Sequence, residues 1–360
     1  IASEGVLYEQ AIGASSWTMQ SVPSLFTALY PSQHHASWRY KFLDDEHVTL
    51  AEVLERAGYH TVGWSANPLV DRGTNLHRGF QEFTQITWNF RPSANQGLAY
   101  LVDRAFRMLH RELVGQGGDK LARLFRRSIG ELASREDPFF AFLFFLEPHA
   151  PCRPRRKTAR RLLPQDVSLS QAQKINWRPH NYYVGKAQMS EQDFGILTAL
   201  YDAEIVDTDE RIGATVDALR QAGILDDTIV IISADHGENF GHHGLMGHSH
   251  CLYDDLIRVP LIVRYPKLFP PGMRVSEQVQ AHDLFFTLLE AAEVEPSQYP
   301  ARPHQFSLLP DQLKKKARRW TFAERFRPRR KFYESLAQRH PQLDITRYVR
   351  ELRAVRGEGW

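Results

Sequence analysis

The stretch "TIVIISADHGENFGHHGLMGHSH", Thr228–His250, joins a short apolar run to a polar, glycine-rich loop. β-Branched residues dominate the apolar run, so it is predicted to form a buried strand. Asp235 and His236 follow directly at the end of that strand. An adjacent Asp and His can offer a carboxylate oxygen and an imidazole nitrogen to one divalent cation. The stretch therefore predicts a strand that carries a metal site at its carboxyl end.

The loop after Asp235 and His236 is unusually rich in histidine. Four glycines in it allow the chain to fold back over the end of the strand. This density of histidine is hard to explain by packing, although a histidine-rich surface loop without function is the alternative. The four additional histidines are His242, His243, His248 and His250.

The remaining sequence alternates helical and strand-like patterns. "HVTLAEVLERAGY" is amphipathic, "HTVGWSA" is strand-like, and "TDERIGATVDALRQAGILDD" is a helical pattern closed by Gly223. This alternation predicts an α/β sheet with helices on both faces. In such sheets functional groups gather at the carboxyl ends of the strands, where the turns "EPHAP" and "ADHGE" fall.

Composition limits the class of protein. The chain has 360 residues, 42% of them hydrophobic, which fits one large α/β domain or one domain with an appendage. The net charge is +3, and basic residues cluster in Lys314–Trp320 and Arg325–Lys331. No aromatic platform accompanies these clusters, so we interpret them as a solvated basic face and expect no nucleic-acid partner. Only Cys152 and Cys251 are present, which excludes a disulfide framework.

The longest apolar run, Phe139–Leu146, is far shorter than the roughly 20 residues that span a bilayer. It is predicted to be a buried strand, and no transmembrane segment is expected in this sequence. The chain opens at Ile1 and stops at Trp360 in mid-pattern, so both ends are expected to be cut. The sequence leaves localisation and oligomeric state open.

A second polar cluster, in "FFLEPHAP", follows this apolar run and contains Glu147 and His149. Glu147 is either a metal ligand or a structural carboxylate. His149 is placed to donate a hydrogen bond to an anionic substrate or to protonate a leaving group, and a buried structural histidine is the alternative.

Taken in order, these clusters resemble the sulfatase family of the alkaline phosphatase superfamily over nearly the whole chain. "PSLFTALYPSQHHA" resembles the family's "LTGLYP..HG" run, "FFLEPHAP" its "DPHxPY" turn, and "ADHGENFGHHGLMGHSHCLYDDLIRVPLIVRYP" its metal-binding signature. The resemblance implies an alkaline phosphatase-like three-layer αβα sandwich around a large, mostly parallel sheet. It implies a catalytic domain over residues 1–295 and a small, incomplete C-terminal unit over residues 296–360. It also implies that the family's first strand, with its metal-binding aspartates, precedes Ile1.

The resemblance assigns roles to individual residues. The nucleophile falls on Thr18, nine residues before Thr27, and a motif serine falls on Ser21. An alternative register, "SVPSL" over Ser21–Leu25, mimics a serine-type motif but lies three residues too close to "LFTALYP" and has Leu25 in place of arginine. Thr18 is preferred, although it could also be only the N-cap of the helix that follows. The implied catalytic residues are Thr18, His149 and His248; the substrate-binding residues are Ser21, Asn67 and His250; and the ligands of a divalent ion (Ca, Mg, Mn or Zn) are Asp235, His236 and Thr18.

A threonine nucleophile cannot yield the formylglycine that family sulfatases make from Cys or Ser. The chain also has "GWSANP", Gly63–Pro68, where many sulfatases show "GKWHLG", and His248 where they often carry lysine. We therefore expect hydrolysis or transfer of a phosphoester or phosphodiester. The alternatives are a sulfuric ester hydrolase and an inactive member that binds an anionic ligand. The expected partner is a small-molecule, glycan or lipid-headgroup anionic ester.

Overall fold

The computed structural model describes residues 1–86, 117–176, 181–182, 184–186, 188–301, 305–327 and 330–357. Helices and strands alternate along the chain, which confirms the predicted α/β class. None of the described helices is both long and apolar enough to cross a membrane.

Twelve short strands are described, and they are numbered in chain order. They are β1 Val6–Ile12, β2 His60–Ser65, β3 Glu82–Gln85, β4 Phe139–Phe144, β5 Val230–Ser233, β6 Asn239–Phe240, β7 Met246–Gly247, β8 Arg258–Val259, β9 Leu261–Arg264, β10 Met273–Gln280, β11 Trp320–Arg325 and β12 Leu352–Gly357.

The described α-helices are numbered in the same way. They are α1 Thr18–Thr27, α2 Pro31–His34, α3 Leu50–Arg56, α4 Gly118–Ser134, α5 Arg156–Leu162, α6 Leu169–Asn176, α7 Glu191–Gln221, α8 Asp254–Ile257, α9 Leu284–Ala291, α10 Pro310–Lys315 and α11 Arg330–Arg339. Helix α7 begins well before the helical pattern that the sequence analysis picked out at Thr208.

The described strands form two principal sheets. The first has the order β10-β1-β9-β5, with β8 also paired to β1. In it β1 is parallel to β10 and antiparallel to β8 and β9. Pro260 separates β8 from β9, as expected for a residue that cannot donate to the ladder. The second sheet, β3-β2-β4, is fully parallel.

Alternate residues of β4 point to opposite faces, as the two-residue period of a strand requires. Phe140, Phe142 and Phe144 pack with residues of α1. Phe139, Ala141 and Leu143 pack instead with a cluster built from α4 and α7. Helices therefore cover both faces of this sheet, which gives the three layers.

Strands β4 and β5 were both expected to be buried, and that expectation was wrong. Every residue of β4 is half-buried, and β5 is half-buried up to the exposed Ser233. The reason is their position, since within the described residues each pairs with a strand on one side only.

The C-terminal segment packs against the main body. Ala323, Tyr333 and Tyr348 share an apolar cluster with Ile12 of β1 and Leu245 of the histidine-rich loop. The proposed boundary between residues 295 and 296 stays a prediction.

The basic clusters near the C-terminus do not form one solvated face, contrary to expectation. Arg318 is buried and donates to Asp283, with an Nε–Oδ2 distance of 2.7 Å. Arg325 is also buried and donates to backbone carbonyls, including that of Ser249. A guanidinium group can be buried when its N–H donors find acceptors, and each of these contacts provides one. Residues 328 and 329 of the second cluster lie outside the described residues.

Candidate active site

Thr18 is the first residue of α1, and it is almost completely buried. Its Oγ1 atom lies 3.2 Å from Nε2 of His236, although 218 positions separate the two residues. The N-cap of α1 is the extended residue Trp17, with no side-chain capping bond. Thr18 therefore does not cap the helix, and its hydroxyl faces the turn after β5 instead.

The ring of His236 is oriented by its own backbone neighbour. Nδ1 lies 2.8 Å from the carbonyl oxygen of Gly237, which can only accept a hydrogen bond. Nδ1 must therefore carry the proton, and Nε2 presents its lone pair toward Thr18. Burial lowers the pKa of His236 despite the opposing charge of Asp235, which favours this neutral form.

Asp235 is the third potential metal ligand at this site, after Thr18 and His236. Its Oδ2 atom is buried without a hydrogen-bond partner, and it lies 3.5 Å from Nε2 of His236. A buried carboxylate oxygen without a donor is costly and calls for a positive charge nearby. A carboxylate, a neutral imidazole and a hydroxyl also form a donor set suited to a divalent cation. These three predicted ligands are brought together and fit such an ion.

The two histidines expected to contact substrate also meet at this site. The ring of His248 lies between the ring of His236, at a centroid distance of 4.5 Å, and that of His149, at 4.9 Å. His149 is delivered by the loop after β4, and its Nδ1 lies 2.5 Å from the carbonyl oxygen of Ala150. Burial lowers the pKa of His149, which favours the neutral ring.

Glu238 is a residue of this site that the sequence analysis missed. Its Oε1 atom lies 3.0 Å from Nδ1 of His248. Ligand atoms of His149, Glu238 and His248 lie within 4.8 Å of one another, so this group could itself hold a metal ion. The available signal was its position in "ADHGE", three residues after Asp235 at the end of a strand.

Glu238 and His248 form a buried pair of opposite charge. Burial would raise the pKa of Glu238, but the charge of His248 and their hydrogen bond outweigh it and hold the pKa at about 2. Burial would lower the pKa of His248, but the charge and hydrogen bond of Glu238 outweigh it and raise the pKa. The site thus favours the protonated form of His248 and the neutral form of His149.

Three other predicted residues have contacts of a different kind. Ser21 is buried, and its hydroxyl donates to the carbonyl of Ser15 at 2.9 Å. The Oδ1 atom of Asn67 accepts the Leu69 amide at 2.8 Å, within the turn after β2. His250 packs edge-on against Tyr348 of the C-terminal segment. No described contact joins these three to Thr18, so their substrate-binding role stays a prediction.

The contacts of Glu147, His242 and His243 indicate the roles of these residues. Glu147 accepts the amide of Gly118 at 3.0 Å and lies 3.8 Å from Arg211, so it is a structural carboxylate between β4, α4 and α7. His242 pairs with Asp255 at 2.9 Å and is largely exposed. His243 stacks on Tyr253. Within the histidine-rich loop, His248 is the residue whose ring stacks on His236.

Comparisons with known proteins identify relatives of this chain. The sequence pattern of the Sulfatase family matches residues 1–294, and that of the N-sulphoglucosamine sulphohydrolase C-terminal region matches residues 241–348. Arylsulfatase K of Xenopus laevis is 23% identical over 330 residues, which cover 85% of this chain and 59% of that protein. The chain thus spans a little over half of the length of the curated relatives that it matches.

Solved structures show the same fold. The phosphonate monoester hydrolase of Agrobacterium radiobacter has a TM-score of 0.72 at 21% identity, covering 99% of this chain and 79% of that chain. A protein solved in complex with its substrate, D-glucosamine-2-N,6-O-disulfate, has a TM-score of 0.68 at 17% identity, covering 99% and 80%. These neighbours confirm the predicted alkaline phosphatase-like fold, and the match over residues 1–294 shows that the chain belongs to the sulfatase family.

Proposed function

We propose that this protein is a metal-dependent hydrolase or transferase that acts on a phosphoester or phosphodiester with Thr18 as the nucleophile. The observation that carries the proposal is the 3.2 Å approach of Thr18 Oγ1 to His236 Nε2, beside the buried carboxylate of Asp235. A hydroxyl held against two ligand-type side chains fits the geometry of an activated nucleophile.

The proposed ligands of the divalent ion (Ca, Mg, Mn or Zn) are Asp235, His236 and Thr18. When bound, such an ion lowers the pKa of an alcohol and neutralises charge on the ester. Asp235 contributes negative charge, and the carbonyl of Gly237 holds the His236 ring with Nε2 toward the site. Residues 1–295 are the proposed catalytic unit, with residues 296–360 as the C-terminal unit.

The surroundings of Thr18 suit a tetrahedral anion. Thr18 begins the ten-residue helix α1, and the positive end of the helix dipole favours a bound anion. The raised pKa of His248 favours its protonated form, which can stabilise an ester oxygen and donate its proton to the leaving oxygen. The Thr18 hydroxyl gives up its proton to water, its oxygen forms the new ester bond, and the bond to the leaving oxygen breaks as His248 protonates that oxygen. Water or an acceptor alcohol then releases the group from Thr18.

A sulfuric ester hydrolase is the second candidate. Its support is the relationship to an arylsulfatase and to a protein solved with a disulfated glucosamine. The substrate class of either candidate is an anionic small molecule, glycan or lipid headgroup. The residue at position 18 argues against the sulfuric ester hydrolase, since threonine cannot form the aldehyde that Cys and Ser can form.

The test is a panel of aryl phosphate, aryl phosphodiester, aryl phosphonate and aryl sulfate substrates, assayed on the full-length protein with each metal added in turn. The proposal expects a phosphorus ester to be the best substrate and expects Thr18→Ala to lose that activity. Turnover of the sulfate ester alone would favour the second candidate. No turnover with any substrate, together with retained anion binding, would favour an inactive binding protein.

A further inference from the structure

Glu238 sits in a position that the local backbone fixes tightly. It follows Gly237, whose amide donates to the Leu256 carbonyl at 2.9 Å. A Cβ atom on Gly237 would lie 2.0 Å from the carbonyl oxygen of Asp255, so only glycine fits there. The close approach of these two backbones sets the direction in which Glu238 leaves the turn. Its side chain is only 4% exposed.

The Glu238 carboxylate joins two loops that enter the site from different strands. Oε1 accepts from Nδ1 of His248, in the loop after β7, at 3.0 Å. Oε2 accepts from the backbone amide of Ala150, in the loop after β4, at 3.4 Å. Ala150 is the neighbour of His149, and its carbonyl orients the His149 ring. A single buried side chain therefore links His248, which stacks on His236, to the loop that carries His149.

The backbone around His248 turns sharply on both sides. Gly247 has a φ of 76° and Ser249 a φ of 66°, both in the left-handed region. These two turns direct the His248 side chain into the site. They do not fix the rotation of the imidazole ring about its Cβ–Cγ bond, which depends on side-chain contacts. The hydrogen bond from Nδ1 to Glu238 fixes that rotation together with the stacking on His236.

The same three side chains could bind a metal ion, but their contacts favour another role. The direct bond of 3.0 Å between Glu238 and His248 places the Nδ1 proton between the two groups. Each carboxylate oxygen already faces a donor. A buried carboxylate with both oxygens engaged needs no cation to satisfy it.

We infer that Glu238 is a positioning residue: its carboxylate holds the His248 imidazole and the His149 turn in the one arrangement that faces an ester bound at Thr18. This inference rests on the proposed function, since its effect on rate requires that the site turn over an ester. Outer carboxylates that orient histidine ligands are worth about 10- to 100-fold in activity or affinity in metal sites.

The experiment compares Glu238→Ala and Glu238→Gln in the full-length protein, with the best ester from the substrate panel. Gln retains an oxygen that can accept from Nδ1 of His248, whereas Ala removes it. We expect kcat to fall about 10- to 100-fold in the Ala variant with a smaller change in KM, and the Gln variant to recover part of kcat, since Gln keeps the acceptor for His248 but loses the charge and the acceptor for Ala150.

Asp255→Asn is the matched control. Asp255 makes the same carboxylate–imidazole contact, with Nδ1 of His242 at 2.9 Å, but His242 is 73% exposed and outside the site. We expect unchanged kcat and KM in this variant.

A nitrogen–proton NMR spectrum of the imidazoles provides a readout that does not depend on activity. The hydrogen-bonded Nδ1–H signal of His248 is expected in the parent protein and in Glu238→Gln, and is expected to be lost in Glu238→Ala. Its absence from the parent protein would overturn the inference, whereas its presence in a protein without turnover would mean that the proposed function alone had failed.

Three other results would overturn the positioning role. They are full activity of Glu238→Ala, equal loss of activity in the Gln and Ala variants, and a loss of bound metal in Glu238→Ala that matches the loss of activity. The last outcome would identify His149, Glu238 and His248 as a metal site.

Discussion

At the scale of single residues, neighbouring hydroxyls of α1 have opposite surroundings. The Thr18 hydroxyl faces His236, whereas the Ser21 hydroxyl donates to a backbone carbonyl in the interior. A side chain bonded to its own local backbone is committed to the fold. The two hydroxyls are therefore expected to differ in what they contribute.

Thr18→Ala is expected to lower turnover by at least about a thousandfold, because it deletes the attacking oxygen. Ser21→Ala is expected to leave turnover nearly unchanged and to lower the free energy of unfolding by about 1 kcal/mol, the value of one buried hydrogen bond. Steady-state kinetics and chemical denaturation of both variants check this contrast. An inactive Ser21→Ala beside an active Thr18→Ala would make "SVPSL" the correct nucleophile motif.

Asp235→Asn is expected to lower the bound divalent metal strongly while the fold is retained. The substitution removes the negative charge of the buried Oδ2 atom, which has no hydrogen-bond donor to lose. Elemental analysis after dialysis measures the metal, and circular dichroism checks the fold. Unchanged metal content would show that Asp235 is not a ligand.

At the scale of elements, the site depends on how the C-terminal strands dock against the histidine-rich loop. Strands β11 and β12 pair in antiparallel register from Trp320 with Gly357 to Arg325 with Leu352. Arg325, at the end of β11, donates to the carbonyls of Ser249, Tyr348 and Arg350. Ser249 follows His248 directly, so this arginine connects the C-terminal unit to the site.

Arg325→Leu is expected to destabilise the protein by about 3 kcal/mol or more, because each buried carbonyl that loses its donor costs about 1–3 kcal/mol. Turnover is expected to fall as well, since the turn that carries His248 loses its support. Thermal unfolding and kcat measure the two effects. Arg353→Leu, on the exposed side of β12, is the control and is expected to cost no more than about 1 kcal/mol.

At the scale of the whole molecule, buried neutral histidines make the stability of the fold depend on pH. Burial lowers the pKa of His34 to about 3 and that of His250 to about 3, and it lowers the pKa of His282 well below its ordinary value. His34 lies against α1, His250 against the C-terminal segment, and His282 against Tyr30. His34 and His282 are both buried and lie close enough for their charges to interact, so unfolding exposes them together.

Stability is expected to fall as the pH drops below about 6.5, the ordinary histidine pKa in an unfolded chain. Because the folded-state pKa values are lowered, the unfolded state binds more protons below that pH and is favoured. Each of the three histidines then contributes a slope of about 1.4 kcal/mol per pH unit until the pH reaches its folded pKa. His248 opposes this trend, since its pKa is raised.

Chemical denaturation between pH 7.5 and pH 5 measures the slope. His34→Gln should reduce the slope by the share of one histidine, because Gln does not titrate. A stability that stayed constant over this range in the parent protein would contradict the lowered pKa values.

The sequence by itself determined the elements and the chemistry at their ends. The run "HTVGWSA" became β2, the run from Phe139 became β4, and Asp235 and His236 follow β5 as predicted. These signals are local: periodicity and composition over a few residues decide whether a segment is helix or strand, and which side chains follow it.

Only the tertiary structure decided which of those side chains share a site. Thr18 meets His236 across 218 positions, and Glu238 pairs with His248 through a hydrogen bond, whereas Glu147 and His242 face other partners. The burial of β4 and of Arg325 also depends on neighbours that are distant in the sequence. The physical reason is that a side chain's role follows from the partners, burial and charge that packing brings to it, and no short stretch of sequence contains these.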